Sequence, residues 1–102
     1  MIYYARPYSY NPFLARIKYY EESSKLHDVT GEMIICTIPL TNYEHITLEE
    51  QVVFDLAETM IKESDMLVWK GNSKGVKKEI ALAKKYEVPI KEYKEIVLWL
   101  KI

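Results

Sequence analysis

The chain has 102 residues and a mass of about 12.1 kDa, with 49% hydrophobic and 28% charged residues. That length suits one domain spanning residues 1–102, and that composition excludes a disordered chain, a collagen and a low-complexity linker. Fourteen Lys and Arg against fifteen Asp and Glu leave a formal charge of -1, too little for a global basic field that would hold nucleic acid or an anionic membrane.

The lone Cys36 has no internal partner for a disulfide, and no opening stretch reads as a leader, so a reducing, cytoplasmic (intracellular) setting is expected. The longest apolar run, 96–100, is far short of the ~20 residues that span a bilayer, so no membrane contact is expected. His27 and His45 lack any metal-ligand spacing, and neither a metal nor a cofactor is expected. One Gln, three Asn and one Cys beside abundant Lys, Glu, Ile and Tyr is the residue economy associated with hyperthermophiles.

Residues 1–5 form an aromatic and apolar run that predicts a short buried strand, stopped at Arg6-Pro7 because Pro7 cannot extend a ladder. Asn11 before Pro12 is a helix start, and Phe13, Ile17 and Tyr20 then recur at helical spacing, so the first helix should run to about Leu26. After Gly31, the apolar run 33–38 closed by Pro39 predicts a second strand, buried on both faces. Thr47 and Glu50 form a capping box, and Val52, Val53, Leu56, Ala57, Met60 and Ile61 form a helical stripe with Phe54 off it.

Asp65 opens a third buried strand over 66–69, which breaks at 70–73. Ser73 can cap a helix over 74–86 with Val76, Ile80 and Ala83 on its inner face, and 88–90 reads as a fourth strand. The tail 92–102 fits a helix through Tyr93, Ile96, Val97 and Leu100, whereas 96–100 alone fits a fifth strand; the helix is the preferred reading. Strands alternating with helices give an α/β fold, a flavodoxin/Rossmann-like open parallel sheet of four strands, or five, flanked by helices.

In such a sheet, ligands bind beyond the carboxyl ends of the strands where strand order reverses, between the loops after the first and third strands. Those loops are Arg6-Pro7-Tyr8-Ser9-Tyr10 and Gly71-Asn72-Ser73-Lys74-Gly75, and they should face one another. The second offers two glycines, a hydroxyl, a lysine and a helix N-terminus, which suit an anion, although composition alone also describes a plain capped turn. Glu79 lies one turn inside the helix, where a solvated surface carboxylate is the ordinary reading. The tyrosines of the first strand and loop can stack a base or pack in the core. Leu98, Trp99 and Phe54 are the expected contact of a homodimer.

The runs 2–9, 64–69, 72–83 and 88–90 resemble the nucleoside 2-deoxyribosyltransferase-like superfamily. Its diagnostic spacing is Ser or Asp, any residue, Gly, three residues, then Glu before an alanine-rich helix, matched here by Ser73, Gly75 and Glu79. The opening Ala5-Arg6-Pro7-Tyr8-Ser9 is similar to that of small uncharacterised members. The resemblance implies hydrolysis or transfer at the N-glycosidic bond of a (deoxy)nucleoside or its 5′-monophosphate. Glu79 would be the nucleophile, Asp65 would assist protonation of the leaving base, and Tyr3 would orient the nucleophile. It also implies that Ser73, Gly75 and the helix N-terminus meet a 5′-phosphate, helped by Lys74, with Gly71 and Asn72 lining the loop. Arg6-Pro7 stands where the N-glycosidase branch has small residues including a phosphate-binding serine, so Arg6 or Ser9 takes over that contact, with Tyr8 beside them, or the substrate differs. Two alternatives remain on sequence grounds: a nucleotide-binding module without catalysis, and a protein-interaction factor that keeps only the scaffold.

Overall fold

The computed structural model describes residues 1–7, 12–37 and 50–98. Along them run β1 (Ile2–Ala5), α1 (Pro12–Thr30), β2 (Ile34–Ile35), α2 (Glu50–Lys62), β3 (Met66–Trp69), α3 (Lys74–Lys85), β4 (Ile90–Glu92) and α4 (Tyr93–Val97). The strands form one parallel sheet in the order β2-β1-β3-β4. This is a flavodoxin/Rossmann-like open sheet, as the alternation of elements predicts. Its register sets Ile2 beside Met66 and Ala5 beside Trp69, and strand order reverses between β1 and β3.

Alternation along the strands divides the core in two. Ile2, Tyr4 and Val68 point to one face and pack with Ala15, Tyr19 and Leu26 of α1 and with Tyr93 and Ile96 of α4. Tyr3, Ala5 and Leu67 point to the other and pack with Ala57 and Ile61 of α2 and with Val76, Leu82 and Ala83 of α3. All four residues of β1 are buried because this strand has neighbours on both edges and helices on both faces. α2 and α3 form where their stripes predict, with Ala57 and Ile61 buried, but Val52 at the start of the α2 stripe is 42% exposed; the tail begins as a helix within the described residues.

Two expectations change. Only Ile34 and Ile35 pair in β2, both half-buried, while Met33 is 66% exposed. β2 is the sheet's edge and has a ladder on one side only, so a strand buried on both faces over 33–38 is not what forms; 38–39 lie outside the described residues. α1 continues to Thr30, beyond the expected end near Leu26, and in it Phe13, Ile17 and Tyr20 are exposed, whereas the buried line is Ala15, Tyr19, Glu22 and Leu26. Both lines have helical spacing, and the second prevails because Glu22 is drawn inward by two cations described below. Leu98 is exposed, but Phe54 is half-buried against the α2–α3 core with the Lys78 ammonium 6.0 Å from its ring centre, so it is not a bare surface residue. Trp99, Asn11 and Thr47 lie outside the described residues. No helix among the described residues is long and apolar enough to cross a membrane.

Candidate functional site at the carboxyl edge of the sheet

At the carboxyl ends of β1 and β3 the two connecting loops touch. The Lys70 N–H donates to the Ala5 carbonyl at 2.9 Å, continuing the ladder past both strands. Gly71 then turns with φ +79°, and a Cβ there would lie 2.5 Å from Pro7 Cγ. Both observations require glycine: the left-handed conformation disfavours a side chain, and the pyrrolidine ring occupies its space. Gly71→Ala should lower stability by about 1–3 kcal/mol, measured by urea unfolding. A loss under about 0.5 kcal/mol would show that the loops do not hold each other.

Ser73 caps α3: its backbone is extended and its Oγ accepts from the Val76 N–H at 3.3 Å. The Ser73 carbonyl accepts from the Lys77 N–H, which leaves the N–H groups of Lys74 and Gly75 without an intrahelical acceptor. Among the described residues, a Gly75 side chain would meet only Ser73 Oγ, at 3.9 Å. Lys74 and Asn72 are exposed and face solvent. Tyr8 and Ser9 lie outside the described residues.

Val76, Glu79, Ile80 and Ala83 share one stripe of α3 at spacings of three and four, so the helix that buries Val76 and Ala83 carries Glu79 inward with them. There the buried Tyr3 hydroxyl donates to Glu79 Oε2, and Thr37 Oγ1 lies 3.5 Å from the same hydroxyl. β1 and α3 thus meet at one carboxylate, with Thr37, two residues past β2, beside the tyrosine hydroxyl. Burial pushes the Glu79 carboxyl up to about 7, opposed by the Tyr3 hydrogen bond, which favours the charged form. The Tyr3 phenol is itself raised, first by burial and then by the charges of Cys36 and Glu79, so it remains a donor. Tyr3→Phe removes the group that holds Glu79 down. The Glu79 midpoint should then move upward in a carbon-detected NMR titration of its carboxyl, and a downward move would contradict the assignment of donor and acceptor.

Tyr3 and Glu79 are therefore brought together, but Asp65 is not. It immediately precedes β3, and in a parallel sheet that position lies at the amino edge, remote from the loops that follow β1 and β3. Its side chain is 80% exposed, and Oδ2 pairs with the Met1 ammonium at 2.7 Å, as does Glu32 Oε2 at 2.7 Å. A cavity of about 600 Å³ opens at this same amino edge, bordered by Ile2, Glu32, Asp65, Lys91 and Glu95. Its lining includes neither Glu79 nor the Gly71–Gly75 loop, so it is separate from the place where Tyr3 and Glu79 meet. His27 Nδ1 is 2.8 Å from the Glu32 carbonyl oxygen, and no group of three or more His, Cys, Asp or Glu among the described residues is placed to hold a metal.

A second polar cluster, on the α1 side of the same carboxyl edge, was not expected from the sequence. Glu22 is 6% exposed, and its Oε1 accepts from Arg6 Nε at 2.7 Å and from the Tyr4 hydroxyl at 3.1 Å. Its Oε2 accepts from Lys70 Nζ, which also lies 4.9 Å from the centre of the Tyr93 ring. The signal that could have found it is the line 15, 19, 22, 26, which places a carboxylate among core positions. Arg6, expected at a ligand, is thus largely turned to Glu22, with Nη1 donating to the Pro7 carbonyl at 3.1 Å.

No protein-family model, curated protein or solved structure matches this chain.

Proposed function

We propose that the chain acts on the N-glycosidic bond of a (deoxy)nucleoside or its 5′-monophosphate, as the resemblance to the nucleoside 2-deoxyribosyltransferase-like superfamily implies, with Glu79 as nucleophile. The observation that supports this most is the buried Tyr3 hydroxyl donating to Glu79 on the α3 face of the sheet. It fixes one carboxylate oxygen and leaves the other to attack. In the step, a Glu79 oxygen bonds to the anomeric carbon as the carbon–nitrogen bond breaks; the electron pair leaves with the base, which takes a proton from water. Water, or a second base in transfer, then attacks the same carbon and releases the Glu79 carboxylate. The developing positive charge on the sugar is what a fixed carboxylate stabilises best.

The test is base release from a panel of ribo- and deoxyribonucleosides and their 5′-monophosphates, with and without an acceptor base, run at elevated temperature. Release or exchange from one substrate class is expected; none from any would sink the reading. The placement of Asp65 favours a second reading, a nucleotide-binding module that does not cleave, because no carboxylic acid among the described residues accompanies Glu79. That reading expects a rise in melting temperature with nucleotide that survives Glu79→Gln. The glycosidic reading also brings an intracellular homodimer, with exposed Leu98 at its contact, which light scattering coupled to size exclusion would read.

A further inference from the structure

The cluster around Glu22 is out of balance. Two cations, Arg6 and Lys70, share one buried carboxylate, so these three groups together hold a net charge of about +1 where partial burial leaves less water to disperse it. The guanidinium, whose side chain is only 12% exposed, spends Nε on Glu22 and Nη1 on the Pro7 carbonyl. A guanidinium has five N–H groups, and among the described residues the remainder meet no acceptor. Lys70 is 42% exposed and so gives solvent a path to the pair. Both residues follow directly on neighbouring strands, β1 and β3, at the reversal of strand order. Their backbones are joined by the bond from the Lys70 N–H to the Ala5 carbonyl.

We propose that Arg6 and Lys70 form an oxyanion subsite for a phosphate monoester, on the opposite side of the sheet from Tyr3 and Glu79 and separate from the capped end of α3. Glu22 is its counterweight: it holds both cations in place unliganded and limits the charge offered to the anion. The arrangement deepens the reading of a nucleotide ligand, but it depends on charge and position and not on cleavage.

The test uses inorganic phosphate as probe at constant ionic strength, read by calorimetry and by melting temperature, in a Glu79→Gln background so that chemistry plays no part. Saturable binding is expected, weakened at least tenfold by Lys70→Met and left within twofold by Lys25→Met, an exposed lysine of α1 with no part in either site. Lys70→Met keeps the Arg6–Glu22 pair, so the fold retains its buried contact. Glu22→Gln removes the counterweight without changing shape, and it should tighten phosphate and enlarge the phosphate-induced melting shift, the opposite sign to Lys70→Met. Absence of saturable binding, indifference to Lys70→Met, or weaker binding in Glu22→Gln would each overturn the proposal. Base release in the unmodified chain without phosphate binding would overturn this subsite and leave the glycosidic reading standing.

Discussion

Glu79→Gln should abolish base release while making the fold more stable at alkaline pH. Gln is isosteric and still accepts from the Tyr3 hydroxyl, but it has no anionic oxygen, so the covalent step is lost and turnover falls by at least ~10³. The stability effect follows from the carboxyl being raised from 4.5 to about 7 by burial. Between those values the folded chain holds a proton that the unfolded chain has released, so this group's contribution is full below the unfolded value and declines as pH rises through the folded one. From pH 5 to pH 8 the unmodified chain should therefore lose about 2 kcal/mol relative to Glu79→Gln, a gap of roughly 10 °C in melting temperature for a domain of this size. On the glycosidic reading turnover should run the other way, because only the ionised carboxylate can attack: it should rise with pH through about 7 and then level. Paired melting curves of the two chains across this range settle the matter, and a pH-independent gap would mean that Glu79 is not buried as a titrating group.

Measured together, those two opposed trends would mark Glu79 as a site residue. A carboxylate on an inward stripe of a helix costs stability whenever it is charged, and chains keep such residues where activity needs them. Ser73 shows the contrast: its cap of α3 stabilises the helix whatever the ligand, so its presence says less about function.

β1, β3, β4 and the last two long helices were legible because their patterns are unambiguous. Residues 66–69 are a bare apolar run, and 76, 80 and 83 repeat at helical spacing, so period alone assigns them. β2 was overread because a long apolar run looks the same whether it pairs on one edge or two, and pairing is a property of the assembled sheet. α1 defeated the period argument since its first turns are apolar on both sides, and which side faces inward was decided by Tyr4, Arg6 and Lys70, 16 to 48 residues away from Glu22. The convergence of Tyr3 with Glu79 was anticipated through resemblance, and the stripe of α3 supports it independently. The placement of Asp65 was within reach of geometry: a residue just before a parallel strand lies at the amino edge, whereas the ligand crevice lies at the carboxyl edge.

The largest structural penalty should come from Glu22→Leu. The substitution adds apolar volume of suitable size, yet it leaves the Arg6 guanidinium, 12% exposed, without its counter-charge, and it strips the Tyr4 hydroxyl of its acceptor. Lys70, 42% exposed, can turn to water and loses less. Breaking one side of a buried pair typically costs about 3–5 kcal/mol, mostly through the charge left behind. With total stability on the order of 5–15 kcal/mol for such a domain, urea unfolding should show a midpoint displaced by more than 1 M. Joint replacement of Arg6 and Glu22 by Leu should recover much of the loss, because the double change removes the stranded charge along with its partner. A double variant no more stable than Glu22→Leu would place the cost in packing around Tyr4, Tyr19 and Tyr93 and not in the ion pair. Since Arg6 and Lys70 reach the carboxyl edge from β1 and β3, the same carboxylate that fixes α1 to the sheet also fixes the loops between which a ligand would enter.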